Sequence, residues 1–139
     1  GGGCHYPAEG YAQIAELIYP LVARDHYRAN FFQSITASNL VEARFTNEKR
    51  NQIALTFDQE VQWQPGAAEL FQFDTDGGQV VSGNVDGRVV TLKTEGAERA
   101  TRITYIDGRN WNEKKTPLRG KNGIAAFSFC QVPIEPEAD

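Results

Sequence analysis

Beyond Asn39 the chain becomes a succession of short runs in which apolar and polar residues alternate, each ended by turn-forming residues, and that period restricts it to β-structure. Residues 40–45 alternate, 46–51 form a polar turn, and 52–57 alternate again with Ile53, Leu55 and Phe57 on one face. Residues 61–63 follow, then Pro65-Gly66 as punctuation, then 70–73. The clearest hairpin joins 79–82 to 88–93 through Gly83-Asn84-Val85-Asp86-Gly87, whose Asn, Asp and Gly residues accept turn geometry. Residues 102–106 make a further run, 107–122 a long polar loop, and 124–132 a last strand. About seven short strands at this spacing predict a mainly β fold, an immunoglobulin-like β-sandwich over 39–134. The acidic tail 135–139 is expected to fray.

The N-terminal part follows a different rule. Over 8–24, Tyr11, Ile14, Leu17, Ile18 and Leu21 recur at three- and four-residue spacing, which predicts one amphipathic helix. Pro7 and Glu9 suit its first turn. Pro20 predicts a kink or break near Tyr19, with 21–27 as a shorter helical tail, because an interior proline removes a hydrogen bond and crowds the preceding turn. Residues 28–38 hold no period and read as a connector docked by Phe31, Phe32 and Ile35. The division is therefore 1–27, 28–38, 39–134 and 135–139.

A helix with this stripe needs a cover, and the chain has no parallel sheet to provide one. Either the helix folds back on the sandwich or the stripe pairs with a second copy, as a homodimer. The formal charge of −4 and the scattering of basic residues give no electrostatic reason to expect nucleic acid. No run reaches the roughly 20 apolar residues of a membrane-spanning helix, so no membrane partner is expected. The chain has no Met and opens Gly1-Gly2-Gly3, so its N-terminus reads as a cut, a processing site or a cloning scar. Cys4 and Cys130 are either two buried thiols or a disulfide between the N-terminal stub and the last strand. No cluster of ligand type calls for a metal or another cofactor.

The segment Gly3-Cys4-His5-Tyr6-Pro7-Ala8-Glu9-Gly10-Tyr11 resembles the last catalytic block of SGNH-type hydrolases, where an Asp and a His three residues apart precede the final helix of an α/β domain. Asn39-Leu40 with Ala43-Arg44-Phe45, Leu55-Thr56-Phe57-Asp58, residues 118–126 (Leu-Arg-Gly-Lys-Asn-Gly-Ile-Ala-Ala) and 129–134 (Phe-Cys-Gln-Val-Pro-Ile) resemble the tail of sialate O-acetylesterase-like proteins. The resemblance covers nearly all of 3–134. It implies that the helix is the last helix of an SGNH hydrolase domain and that the sandwich is an accessory domain. It also implies that His5 is the general base for a serine further upstream, and that the partners are an upstream catalytic domain and an acetylated carbohydrate. An exported protein, extracellular or periplasmic, is expected. The family's Asp would fall at position 2, where this chain has Gly2.

Ester hydrolysis by serine needs a base, a carboxylate to orient it and donors for the oxyanion. A histidine suits the first task because imidazole titrates near neutral pH. No Gly-x-Ser-x-Gly elbow occurs, and Ser34, Ser38, Ser82 and Ser128 lie in ordinary contexts. The chain by itself is therefore expected to be inactive. His26 beside Asp25 reads as a surface residue, since neighbours on a helix point about 100° apart. Trp63 reads as core, and Trp111, in a polar loop with Arg109, Asn110 and Asn112, as the candidate for a sugar or domain contact. Asp58, Glu60 and Asp74 read as turn acids rather than a glycosidase pair. The competing reading is a stand-alone β-sandwich, carbohydrate-binding or structural, with a helical extension.

Overall fold

The computed structural model of the protein describes residues 5–111 and 114–137. They form two compact units, Gly1–Thr36 and Ala37–Asp139.

The first unit is built on α1, Ala8–Tyr27, which follows Pro7 in extended backbone and carries Glu9 in its first turn. A carboxylate there complements the unpaired N–H groups of the helix start. The helix does not break at Pro20. Only one N–H is lost, the one that would reach the Glu16 carbonyl, and the residues on both sides keep helical backbone. The stop comes at Arg28, whose left-handed conformation (φ 56) turns the chain so that the Ala29 N–H returns to the Ala23 carbonyl at 3.1 Å. The Arg28 N–H reaches the same carbonyl, so two donors close the last turn on Ala23.

The second unit contains β1 (Leu40–Phe45), β2 (Gln52–Phe57), β3 (Val61–Gln62), a 3-10 turn (Ala67–Leu70), β4 (Phe71–Phe73), β5 (Gln79–Asp86), β6 (Val89–Glu95), β7 (Arg102–Tyr105), β8 (Arg119–Gly120) and β9 (Phe129–Pro133). One sheet has the order β1-β2-β6-β5, a second β4-β7-β9, and β3 pairs with β8; all these ladders are antiparallel. The four-on-three order is that of an immunoglobulin-type sandwich. Alternation in β2 puts Ile53, Leu55 and Phe57 inward. There they join Phe45, Val90 and Leu92 of their own sheet and Phe71, Ile103 and Tyr105 of the other in one core.

Further expectations change: in the connector Phe31 and Phe32 are exposed rather than docked. The hairpin turn is not 83–87: β5 runs to Asp86, which pairs with Val89, leaving Gly87 and Arg88 as a two-residue turn with φ 58 at Gly87. Gly83 stays in the strand, opposite Leu92, because the Trp63 ring lies over it and leaves no room for a Cβ. The 107–122 loop contains β8, and the strand expected over 124–132 is confined to β9, since Ile124 and Ala125 fold back on the 118–120 segment instead. The tail does not fray at Glu135: its N–H donates to the Ala43 carbonyl and its carbonyl accepts from Phe45, both at 2.9 Å, while Arg44 Nη1 reaches the Pro136 carbonyl.

Candidate functional site

His5 sits just ahead of α1 and is exposed. Its Nδ1 lies 3.4 Å from the Tyr11 hydroxyl, one turn into the helix. Tyr6 meets the same Tyr11 ring edge to face, with centroids 5.9 Å apart. Proline at position 7 holds this entry in extended backbone, so imidazole and phenol face each other beside the helix start. Within the helical unit no described carboxylate is hydrogen-bonded to His5: Asp25 is held by Arg24 at 2.6 Å instead. His26 is exposed, as its place on the helix required. Position 2, where the resemblance puts an orienting acid, and Cys4 lie outside the described residues.

Within its own unit the helix behind His5 leaves much of its apolar arc exposed. Tyr11 is 50% exposed, Ile18 49% and Val22 40%. With Ala15 they recur at four-, three- and four-residue intervals, a single stripe along the helix.

In the β unit, the long loop opens with a hydrogen-bonded turn over residues 107–111. Asp107 accepts from Arg109 through backbone N–H (2.7 Å) and guanidinium (Nη2, 2.7 Å), and the Asn110 side-chain oxygen accepts from the Asp107 N–H at 2.9 Å. The Asn110 and Trp111 N–H groups both return to the Asp107 carbonyl, at 3.1 and 3.0 Å. Arg109 also donates to Gln72 Oε1 at 3.3 Å, on β4. The guanidinium on Asp107, helped by the Arg109 N–H, pulls that carboxyl down to about 2. Ile106, which enters the turn, has φ 58; a β-branched residue there costs on the order of 1–3 kcal/mol. The turn presents Trp111 with 44% of its surface exposed.

Trp63 is packed against the core, stacked on Phe71 at 6.4 Å. Cys130 is not buried: it carries an exposed thiol on β9. The acids read as turn residues hold backbone or pair with bases. Asp58 accepts from the Asn39 N–H at 2.8 Å, and Glu60 pairs with Lys121 at 2.9 Å. Burial alone would raise Asp74, but hydrogen bonds from the Thr101 hydroxyl and N–H and the Arg102 N–H outweigh it and lower its carboxyl. The Asp107–Arg109–Gln72 network escaped sequence reasoning. Its only local trace is the Asp-Gly-Arg-Asn tetrapeptide, an ordinary turn signal. Gln72 is far off in the chain.

No family model matches the chain, and no curated protein matches it. Among solved structures it is similar to a carbohydrate acetylesterase from Xanthomonas citri, at 15% identity and a TM-score of 0.61. The match covers 84% of this chain and 27% of that one, so the chain spans about a quarter of that protein's length. At this identity the likeness establishes a fold: a mainly β, antiparallel sandwich preceded by one helix. The matched share exceeds what Ala37–Asp139 contains, so the likeness extends into the helical unit as well.

Proposed function

We propose that this chain is the C-terminal part of a serine carbohydrate O-acetylesterase of the SGNH type, similar to the sialate O-acetylesterases. In it, α1 closes an α/β catalytic domain, His5 is the general base and the sandwich is an accessory domain. The observation that carries this reading is the uncovered arc of Tyr11, Ile18 and Val22 directly behind an exposed histidine. Burying side chains of this size stabilises by about 1.5–3 kcal/mol each, so a helix of this kind belongs against a sheet. Support also comes from the fold likeness, which includes part of the helical unit and makes up only 27% of a carbohydrate acetylesterase.

In this mechanism the His5 imidazole takes the proton of a serine hydroxyl as the oxygen attacks the acetyl carbonyl. It returns that proton to the sugar oxygen as the ester bond breaks, and then activates the water that releases acetate. Tyr11, 3.4 Å from Nδ1, lies where it fixes the ring's orientation. The isolated chain supplies the base without the nucleophile.

The test is acetate release from an O-acetylated sugar and from an aryl acetate, by this chain and by the chain joined to the coding sequence that precedes it. The longer protein is expected to turn over, and His5→Ala in it to lower kcat by about 10²–10⁴-fold with KM little changed. Turnover by the isolated chain, or full activity of the His5→Ala protein, would overturn the assignment. A longer protein without esterase activity would favour a stand-alone binding module.

A further inference from the structure

We propose that the 107–111 turn, together with Gln72, is a binding subsite for the ring of a neutral saccharide, on the β-domain and apart from the hydrolytic chemistry. The choice of a sugar as ligand rests on the carbohydrate esterase reading above; the geometry of the subsite does not. A pyranose has an apolar C–H face and a rim of hydroxyls, so its receptor needs a flat apolar surface next to planar groups that hydrogen-bond in pairs.

The turn carries both. Trp111 presents an indole that has no place in the core, whereas Trp63, the other tryptophan of the chain, is packed against it. The same turn carries the Arg109 guanidinium and the Asp107 carboxylate, hydrogen-bonded to each other, and Arg109 also reaches the Gln72 amide oxygen on β4. They are held before any ligand arrives. The Asn110 side chain spans the turn, receiving the Asp107 N–H and donating to the Glu69 carbonyl at 3.4 Å, and two backbone bonds converge on the Asp107 carbonyl. A preformed site of this kind avoids much of the ordering cost that weakens binding by mobile loops. Backbone strain at Ile106 is sustained next to this turn.

Charge selects among sugars. Arg109 already faces the Asp107 carboxylate at 2.7 Å and Lys115 faces Glu69 at 3.3 Å, so each of these two cations is paired before a uronic or sialic acid carboxylate could approach. It fits a neutral ring, and since no group is committed to an ester, binding is indifferent to O-acetylation.

The experiment is an NMR titration of the 139-residue chain with neutral hexose and pentose tetrasaccharides and with a uronic acid tetrasaccharide. The chain has two indole N–H resonances, assigned by comparison with Trp63→Phe. Saturable movement of the Trp111 resonance by a neutral sugar, with Trp63 still, is the result expected. Trp111→Ala should weaken binding about tenfold or more, and acetylated and deacetylated forms should bind alike. If no neutral sugar moves Trp111, if the uronic acid binds best, or if the Trp111→Ala protein, folded by its thermal transition, binds as before, the proposal fails. The titration involves no hydrolysis, so its failure leaves the esterase assignment standing, and loss of that assignment leaves any measured binding intact.

Discussion

The Trp63 indole occupies the space that a side chain on Gly83 would need: a Cβ there would overlap ring atoms Cζ3, Cη2 and Cε3. A residue that reads from sequence as a turn former is therefore a packing residue, a gap in β5 into which a ring from the segment after β3 is pressed. Gly83→Ala is expected to destabilise the β unit by about 1–3 kcal/mol, measured by urea unfolding. The same substitution in a Trp63→Leu background should cost much less, because the ring that opposes it is gone.

Tyr105 ties the end of β7 to the loop before β8: its hydroxyl oxygen accepts from the Leu118 N–H at 2.6 Å, and both residues are buried. Tyr105→Phe would leave that N–H without a partner and should cost about 1–3 kcal/mol. Burial pushes the phenol up to about 12, against the smaller opposing effects of the Leu118 hydrogen bond and of Arg119. The unfolded value is about 10, so the unfolded chain loses this proton first. The contribution is complete below pH ~10 and is lost as pH rises towards 12. Urea midpoints should fall over that range, with a smaller decline in Tyr105→Phe.

Asp107 titrates in the opposite sense. Its side-chain bond to Arg109 depresses its carboxyl to about 2, below an unfolded value of about 3.9. Its contribution is present above the unfolded value and disappears as pH falls through the folded one. Carbon-detected NMR titration should place Asp107 near that low value in the native chain, and Arg109→Ala should raise it towards the ordinary carboxylate range, the backbone N–H of residue 109 still holding it somewhat below.

The C-terminal segment works as a latch on β1. Ile134 is buried, and Glu135 bridges β1 in parallel at Arg44. Deleting residues 134–139 should remove about 2–4 kcal/mol from burial and backbone hydrogen bonds. It would also leave β1 as an open edge, so concentration-dependent association in sedimentation is expected. Arg44→Ala, which removes only the contact to the Pro136 carbonyl and the Glu42 pairing, should have a smaller effect.

On the helix, Ile18→Lys should leave the thermal unfolding of the β unit within about 0.5 kcal/mol, as exposed substitutions usually do. In the longer protein proposed above, the same change should sharply lower soluble yield if the arc is covered there, a comparison read by calorimetry and by expression.

Much of this architecture is written in local order. The strict alternation of 52–57 placed β2 to the residue, because a two-residue period leaves one register that buries Ile53, Leu55 and Phe57. The three- and four-residue spacing of 11–21 placed α1, and the block ahead of it singled out His5. Interactions between residues far apart in sequence decided the rest. Pro20 was carried through because a helix survives one missing bond. Gly83 became strand because Trp63 came to lie on it, and the tail became ordered because β1 offered free backbone groups. Trp111 stands out in sequence among polar neighbours, but the network ahead of it does not: Gln72 joins Arg109 only once β4 and β7 are paired. Periodicity reports which face of an element is apolar. Which distant groups meet on the other face depends on chain closure, which no local window contains.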